Sequence, residues 1–332
     1  MTEKVLNWLY PSESTGQRLP PWLLGIALAL IAFMFLQPDT GVDVLVTYGP
    51  AGRGQYVEGL LPRNPRFSLW LFWLFARLPW KWDYLAYMLV SIPVLLAAVY
   101  WGRGNYRKAF LSFPYVWLLA YGQIDEFVAA GLALTWWALR RERFWLMGIG
   151  LCFACLLKPQ MGIPAALCMW LGARNKWKPL VIPAALVIVS LIQWGWDWPL
   201  SWTRAILNQV STQEANWANA SLEPWLGWWV LLIWLPVLLV PMERLPRLRC
   251  ALAATALSVP YFPAYQLLIL FVFPMSRIEW ILSWLPLLGG KGYAAVTMMP
   301  LLVILVGVWP WIHRAVLPRL ERLLLQGESR LP

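Results

Sequence analysis

Long apolar runs separated by short basic turns set the rhythm of this chain. Runs near 22–37, 82–101, 109–121, 124–139, 145–157, 161–173, 179–195, 224–242, 250–262, 265–276, 279–290 and 294–312 each read as a helix in hydrocarbon. Soluble cores do not use so many apolar stretches in one chain of this length, so the pattern predicts an all-α polytopic membrane protein with about 10 to 12 spans. The polar, proline-broken segment 1–21 lacks the apolar core of a secretory signal, which starts the first span near Trp22. No stretch is long and polar enough for a separate soluble unit, so residues 1–332 read as one membrane domain.

Several of these runs are short. Thirteen residues of α-helix rise only about 20 Å against a hydrocarbon core of about 30 Å. Runs 109–121, 145–157, 161–173 and 250–262 therefore tilt into protein-lined hollows or stop part-way. Interrupted backbone at depth is tolerated where it is buried in protein or lines a wet cavity, so the short runs predict a cavity.

Charge orients the spans. With the N-terminus inside, nineteen of the 27 Lys and Arg residues fall on the inner side, in turns such as RGNYRK (103–108), RRER (140–143), ARNKWK (173–178) and ERLPRLR (243–249), and in the tail 313–332. The net charge of +11 thus reflects topology and anionic lipid, not nucleic acid. Nine of the 16 acidic residues, including every Asp, fall outside. The two long loops, 38–81 and 196–223, are outer as well, which places function on the outer face. The expected setting is a bacterial inner membrane with both termini cytoplasmic.

The four cysteines lie in apolar runs, and the Cys152/Cys155 pair has no histidine near it in sequence, so all four read as packing residues. Tryptophan is abundant, at 26 residues, many of them at run ends where interfacial belts form.

One stretch departs from this background. LLAYGQIDEFVAAGLAL (118–134) carries Gln123, Asp125 and Glu126 at the outer start of a helix. Helix-terminal carboxylates cap free amides and suit the macrodipole, which accounts for the two acids but not for Gln123. Lys158, on the same outer side, interrupts an apolar run and needs a partner or a function at depth.

The segment 121–178, with Gly122, Gln123, Asp125, Lys158, Pro159 and Gln160 in order, resembles the polyprenyl-phosphate-sugar-dependent glycosyltransferases of family 87, in the GT-C superfamily. DVLVTYGPAGRGQYVEG (43–59) is similar to that family's first outer loop, and ALSVPYFPAYQLLILFVFPM (256–275) to its downstream segment. Phe262, Pro263 and Ala264 stand where members often carry a histidine, and the aromatic-Pro-Pro element is reduced to Asn64-Pro65-Arg66-Phe67.

The resemblance implies a GT-C-like bundle that moves a sugar, mannose or arabinofuranose, from a polyprenyl-phosphate donor to a glycan or glycolipid acceptor. It implies inversion at the anomeric carbon, a loop carboxylate as general base, and no cofactor, with a divalent metal left open. Asp43 matches the family's loop acid and Asp39 is the fallback base. Gln123, Asp125, Lys158, Gln160, Arg53, Tyr48 and Tyr265 are the expected substrate contacts. A transporter or flippase of an amphiphilic substrate, or a lipid-binding relative without catalysis, is the competing reading. Short, proline-broken spans also suit transporters, but no internal repeat is visible.

Overall fold

The computed structural model describes residues 18–55, 64–79, 81–210, 219–288 and 292–316, and among them no strand occurs. Residues 1–17, Glu58, Arg63, Glu214 and most of the basic tail lie outside the described residues. The longer helices are α1 (Pro21–Leu36), α2 (Ser68–Phe75), α3 (Trp82–Gly102), α4 (Phe113–Tyr121), α5 (Asp125–Arg140) and α6 (Phe144–Leu151). They continue with α7 (Pro159–Leu171), α8 (Val181–Trp194), α9 (Trp198–Val210), α10 (Arg244–Ser258) and α11 (Gly292–Trp311).

This is an all-α polytopic membrane protein. Trp82–Gly102 and Val296–Arg314 are long and apolar enough to cross a bilayer alone. Lys178–Trp194 and Trp198–Ile206 form a third apolar reach, bent by 93° at the Gly195 break. Apolar side chains also face outward elsewhere. On α1 only Leu23, Ala27 and Ile31 are buried, at a spacing of four, while Leu28, Phe33 and Leu36 are exposed. A helix with one packed stripe and an apolar remainder suits hydrocarbon as its solvent.

Several expected spans are broken, each for a local reason. Ser112 caps a new helix by accepting from the Tyr115 amide at 3.3 Å, so 109–121 divides into Tyr106–Phe110 and α4. The run 224–242 divides into Glu223–Leu226, a 3-10 stretch Gly227–Trp234 and Leu235–Leu239, with Gly227 at positive φ and a proline opening each α piece. Residues 265–276 form no through-going helix, only the short turns Ala264–Leu267 and Leu268–Phe271. The run 279–290 yields Arg277–Leu282 and the 3-10 turn Leu285–Leu288. The helix expected from 250 begins earlier, at Arg244, and ends at Ser258.

At the centre stands α5, buried along almost its whole circumference and flanked by α3, α6 and α7. Small residues allow that density. A Cβ on Gly162 of α7 would sit 1.8 Å from the Ala154 carbonyl oxygen, one on Gly131 of α5 2.5 Å from the Ala154 amide nitrogen, and one on Gly150 of α6 2.5 Å from Thr135 Oγ1. Backbones pressed this closely are the usual means of packing helices in lipid, where no hydrophobic force drives association.

Asn219 belongs to a sequon pattern, yet it acts as a buried clasp. Its Oδ1 accepts from the amides of Ser221 (3.1 Å) and Phe262 (2.8 Å), and its Nδ2 donates to the Pro260 carbonyl (3.2 Å). The stretch 219–221 is thereby fastened to the segment after α10. Trp198, expected in an interfacial belt, is instead buried against Phe67 with ring centroids 5.0 Å apart.

Overpacking a filled core costs about 1–3 kcal/mol and occasionally more. Gly162→Ala is therefore expected to lower the thermal midpoint of the detergent-solubilised protein, with a loss near the upper end of that range. Gly25→Ala in α1, where nothing lies within 4 Å, serves as the control and is expected to be neutral or slightly stabilising. Equal melting of the two variants would contradict the close approach of α7 to the backbone at Ala154.

Candidate functional site

The site is assembled where three chain breaks meet. Asp43 opens a single π-helical turn, Val44–Tyr48. Gln123 follows the end of α4, and Asp125 begins α5. Lys158 follows a second π-helical turn, Cys152–Leu156, and precedes Pro159, the first residue of α7. Such π turns recur at functional positions because the extra residue re-aims the side chains around it.

Gly122 makes the first approach possible. It ends α4 at φ +72°, which glycine adopts without strain, and a Cβ there would lie 2.6 Å from Val44 Cγ2. Gln123 is thereby brought beside the loop bearing Asp43 and Tyr48.

A continuous relay of polar contacts results. Lys158 Nζ donates to Gln123 Oε1 at 2.8 Å and to both Asp125 oxygens at 3.0 and 2.9 Å. Tyr48 Oη donates to the same Gln123 oxygen at 2.8 Å. The Gln123 amide in turn donates to Asp43 Oδ2. The Tyr265 ring lies beneath the ammonium, its centroid 5.4 Å from Nζ, a cation–π distance. Tyr48 stacks on Phe72 with centroids 4.3 Å apart. Burial, with Asp43 beside it, raises the Tyr48 phenol well above its ordinary range, so it donates as a neutral hydroxyl at working pH.

Gln123, Asp125 and Lys158 are only 4%, 0% and 5% exposed, whereas Asp43 is half-buried at the edge. The three donors of the ammonium meet Gln123 and Asp125, so the lysine is neutralised within the protein. Arg53 is exposed at the rim, and a Cβ on Gly49 would lie 3.3 Å from both its Nη1 and Asp83 Oδ2. Gln160 is half-buried in the first turn of α7. Asp39 is exposed in the turn after α1 and stands apart from the relay contacts above.

Both acids lie in the first turn of α5, where the macrodipole favours them, but the capping part of that account is not seen. Ile124 is the N-cap of α5 and no side chain caps it, while both carboxylates are fully buried. Neither oxygen of Glu126 has a hydrogen-bond partner, and the same is true of Tyr87 Oη and Gln266 Oε1. The sequence gives no sign that these groups are orphaned, because burial on all sides of α5 follows from its neighbours.

Removing one member of a buried ion pair costs about 3–5 kcal/mol, since the other charge is left without compensation. Lys158→Met is expected to destabilise the protein to that extent in thermal melts, and Lys158→Met combined with Asp125→Asn to recover a large part of the loss. A double variant no more stable than the single one would show that the pair does not act as a unit.

Residues 64–272 match the profile of glycosyltransferase family 87. Gln123, Asp125, Lys158 and Tyr265 fall inside the matched segment, while Asp43 and Tyr48 precede it. Neither a curated protein nor a solved structure matches the chain. The match spans well over half of the 332 residues and contains most of the buried relay; this chain belongs to glycosyltransferase family 87.

Proposed function

We propose that this glycosyltransferase takes its sugar, mannose or arabinofuranose, from a polyprenyl phosphate and delivers it to a hydroxyl of an envelope glycan or lipid on the outer face. The observation that carries the reading is the relay from Lys158 through Gln123 to Asp43, since it ties a half-buried carboxylate to a buried ion pair. Gln123 fixes Asp43 Oδ2 while its own oxygen is held by two donors, so the carboxylate is positioned before substrate arrives.

In the reaction, Asp43 takes the acceptor's hydroxyl proton as the acceptor oxygen bonds to the anomeric carbon. The bond from that carbon to the phosphate oxygen breaks on the opposite side, and the phosphate leaves with the electron pair. The sugar is therefore inverted. General-base help of this kind contributes about 10²–10⁴-fold. Lys158, with its donors already engaged, acts as the anchor of the relay. Arg53 at the rim offers the bidentate fork that suits a lipid phosphate.

The orphaned polar atoms of Glu126, Tyr87 and Gln266 support a sugar pocket beside the relay. Buried atoms of this kind are costly in a membrane protein unless satisfied, and sugar hydroxyls supply both donors and acceptors.

Transfer from a panel of short-chain polyprenyl-phosphate sugars to mixed envelope-lipid acceptors tests the proposal. Wild type is expected to transfer one of them, and Asp43→Asn to lose at least about 10²-fold in rate with an unchanged melting point. Full activity in Asp43→Asn would remove Asp43 as the base. Donor binding without transfer by wild type would favour a lipid-binding or lipid-moving relative.

A further inference from the structure

A second feature lies at the far ends of α5 and α7, away from the relay. A hollow of about 310 Å³ opens between the last turns of these helices and the segment leading into α10. Trp136, Leu139, Cys168, Met169 and Val237 form its walls, and Arg244 and Arg247 stand at its edge. Trp136 lies eleven residues beyond Asp125 on α5, about 16 Å of helix rise, so the hollow is distinct from the proposed reaction site.

We infer that this hollow binds the acyl chain of an anionic diacyl phospholipid, whose phosphate rests on Arg244 and Arg247. Three observations support that occupant. The mouth is apolar and turned outward, with Leu171 60% and Leu238 66% exposed, which suits a neighbour made of hydrocarbon. Both arginines are exposed at the same edge, and the guanidinium of Arg140, also exposed, lies 5.7 Å from the Trp136 ring centroid. Glu243 is the sole acid among residues 240–249 against three arginines, and Arg249 is already paired with Glu279 at 2.7 Å.

The backbone is complementary as well. Helix α10 begins at Arg244, and no side chain caps its N-terminus. Pro246 carries no amide and the Arg247 amide already donates to the Glu243 carbonyl at 3.0 Å, so the amides of Arg244 and Leu245 and the partial positive charge of the helix end favour an anion beside the two arginines. Arg247 is held in place by donating through Nη2 to the Val240 carbonyl at 3.2 Å. An acyl chain in the hollow with a phosphate at this helix end satisfies both features with one molecule.

The test uses the full chain, purified in neutral detergent and stripped of lipid. Retention of phosphatidylglycerol and of phosphatidylcholine with matched chains is compared by native mass spectrometry. Wild type is expected to retain phosphatidylglycerol about tenfold or more over phosphatidylcholine, and Arg244→Gln/Arg247→Gln to lose that preference. Both arginines are exposed, so the variant is expected to fold normally. Cys168→Trp, which fills the hollow, is expected to reduce retention of both lipids. Raised salt should weaken the preference in wild type alone. Equal retention of the two lipids by wild type would overturn the proposal. So would an unchanged preference in the double arginine variant, or a polyprenyl phosphate displacing phosphatidylglycerol in an Arg244- and Arg247-dependent manner. Sugar transfer by wild type and Asp43→Asn is read separately, so failure of the phospholipid proposal is distinguishable from failure of Asp43 as the base.

Discussion

Lys158 is the constraint around which this molecule is arranged. An ammonium buried this deeply requires full compensation, and it obtains it from Asp125 and Gln123, which flank Ile124 between α4 and α5. The geometry asks much of the surrounding chain. Helix α6 has to widen into a π turn before Lys158, α7 has to start on a proline after it, and α4 has to end on a left-handed glycine before Gln123. Each of these breaks starts or ends a helix at the site.

The small-residue contacts serve the same end. Gly131, Gly150, Ala154 and Gly162 bring α5, α6 and α7 to a separation at which the two ends of the ion pair can meet. A buried pair contributes little net stability by itself, because desolvation offsets most of the attraction. What it contributes is specificity of arrangement, since any shift of α7 along α5 would strand two charges in a medium that cannot solvate them. The relay then extends this fixed geometry through Gln123 to Asp43, where the proposed chemistry needs a carboxylate with little freedom.

Polarity is divided between the ends of the bundle. The carboxylates, tyrosines and amides collect where α5 and α7 begin, and the arginine-rich turns collect where they end. A family 87 enzyme handling a lipid-borne sugar would gain from that separation: reaction at one face, and anchoring to charged lipid at the other.

The linear pattern of residues was enough to establish the membrane class, the basic turns and the ordered motif around Gln123, Asp125 and Lys158, since hydropathy and charge act through local composition. It also singled out Asp43, Tyr48 and Tyr265, through resemblance. It did not locate the breaks at Ser112 and Gly227, because capping and positive φ depend on a few atoms that hydropathy ignores. Nor did it show that Glu126 is sealed from water, that Asn219 is a clasp, or that Lys158 spends all its donors inside the protein. Those facts are long-range. Residues 43, 123 and 158 come together only when three separate helix ends converge, and only the tertiary packing decides that.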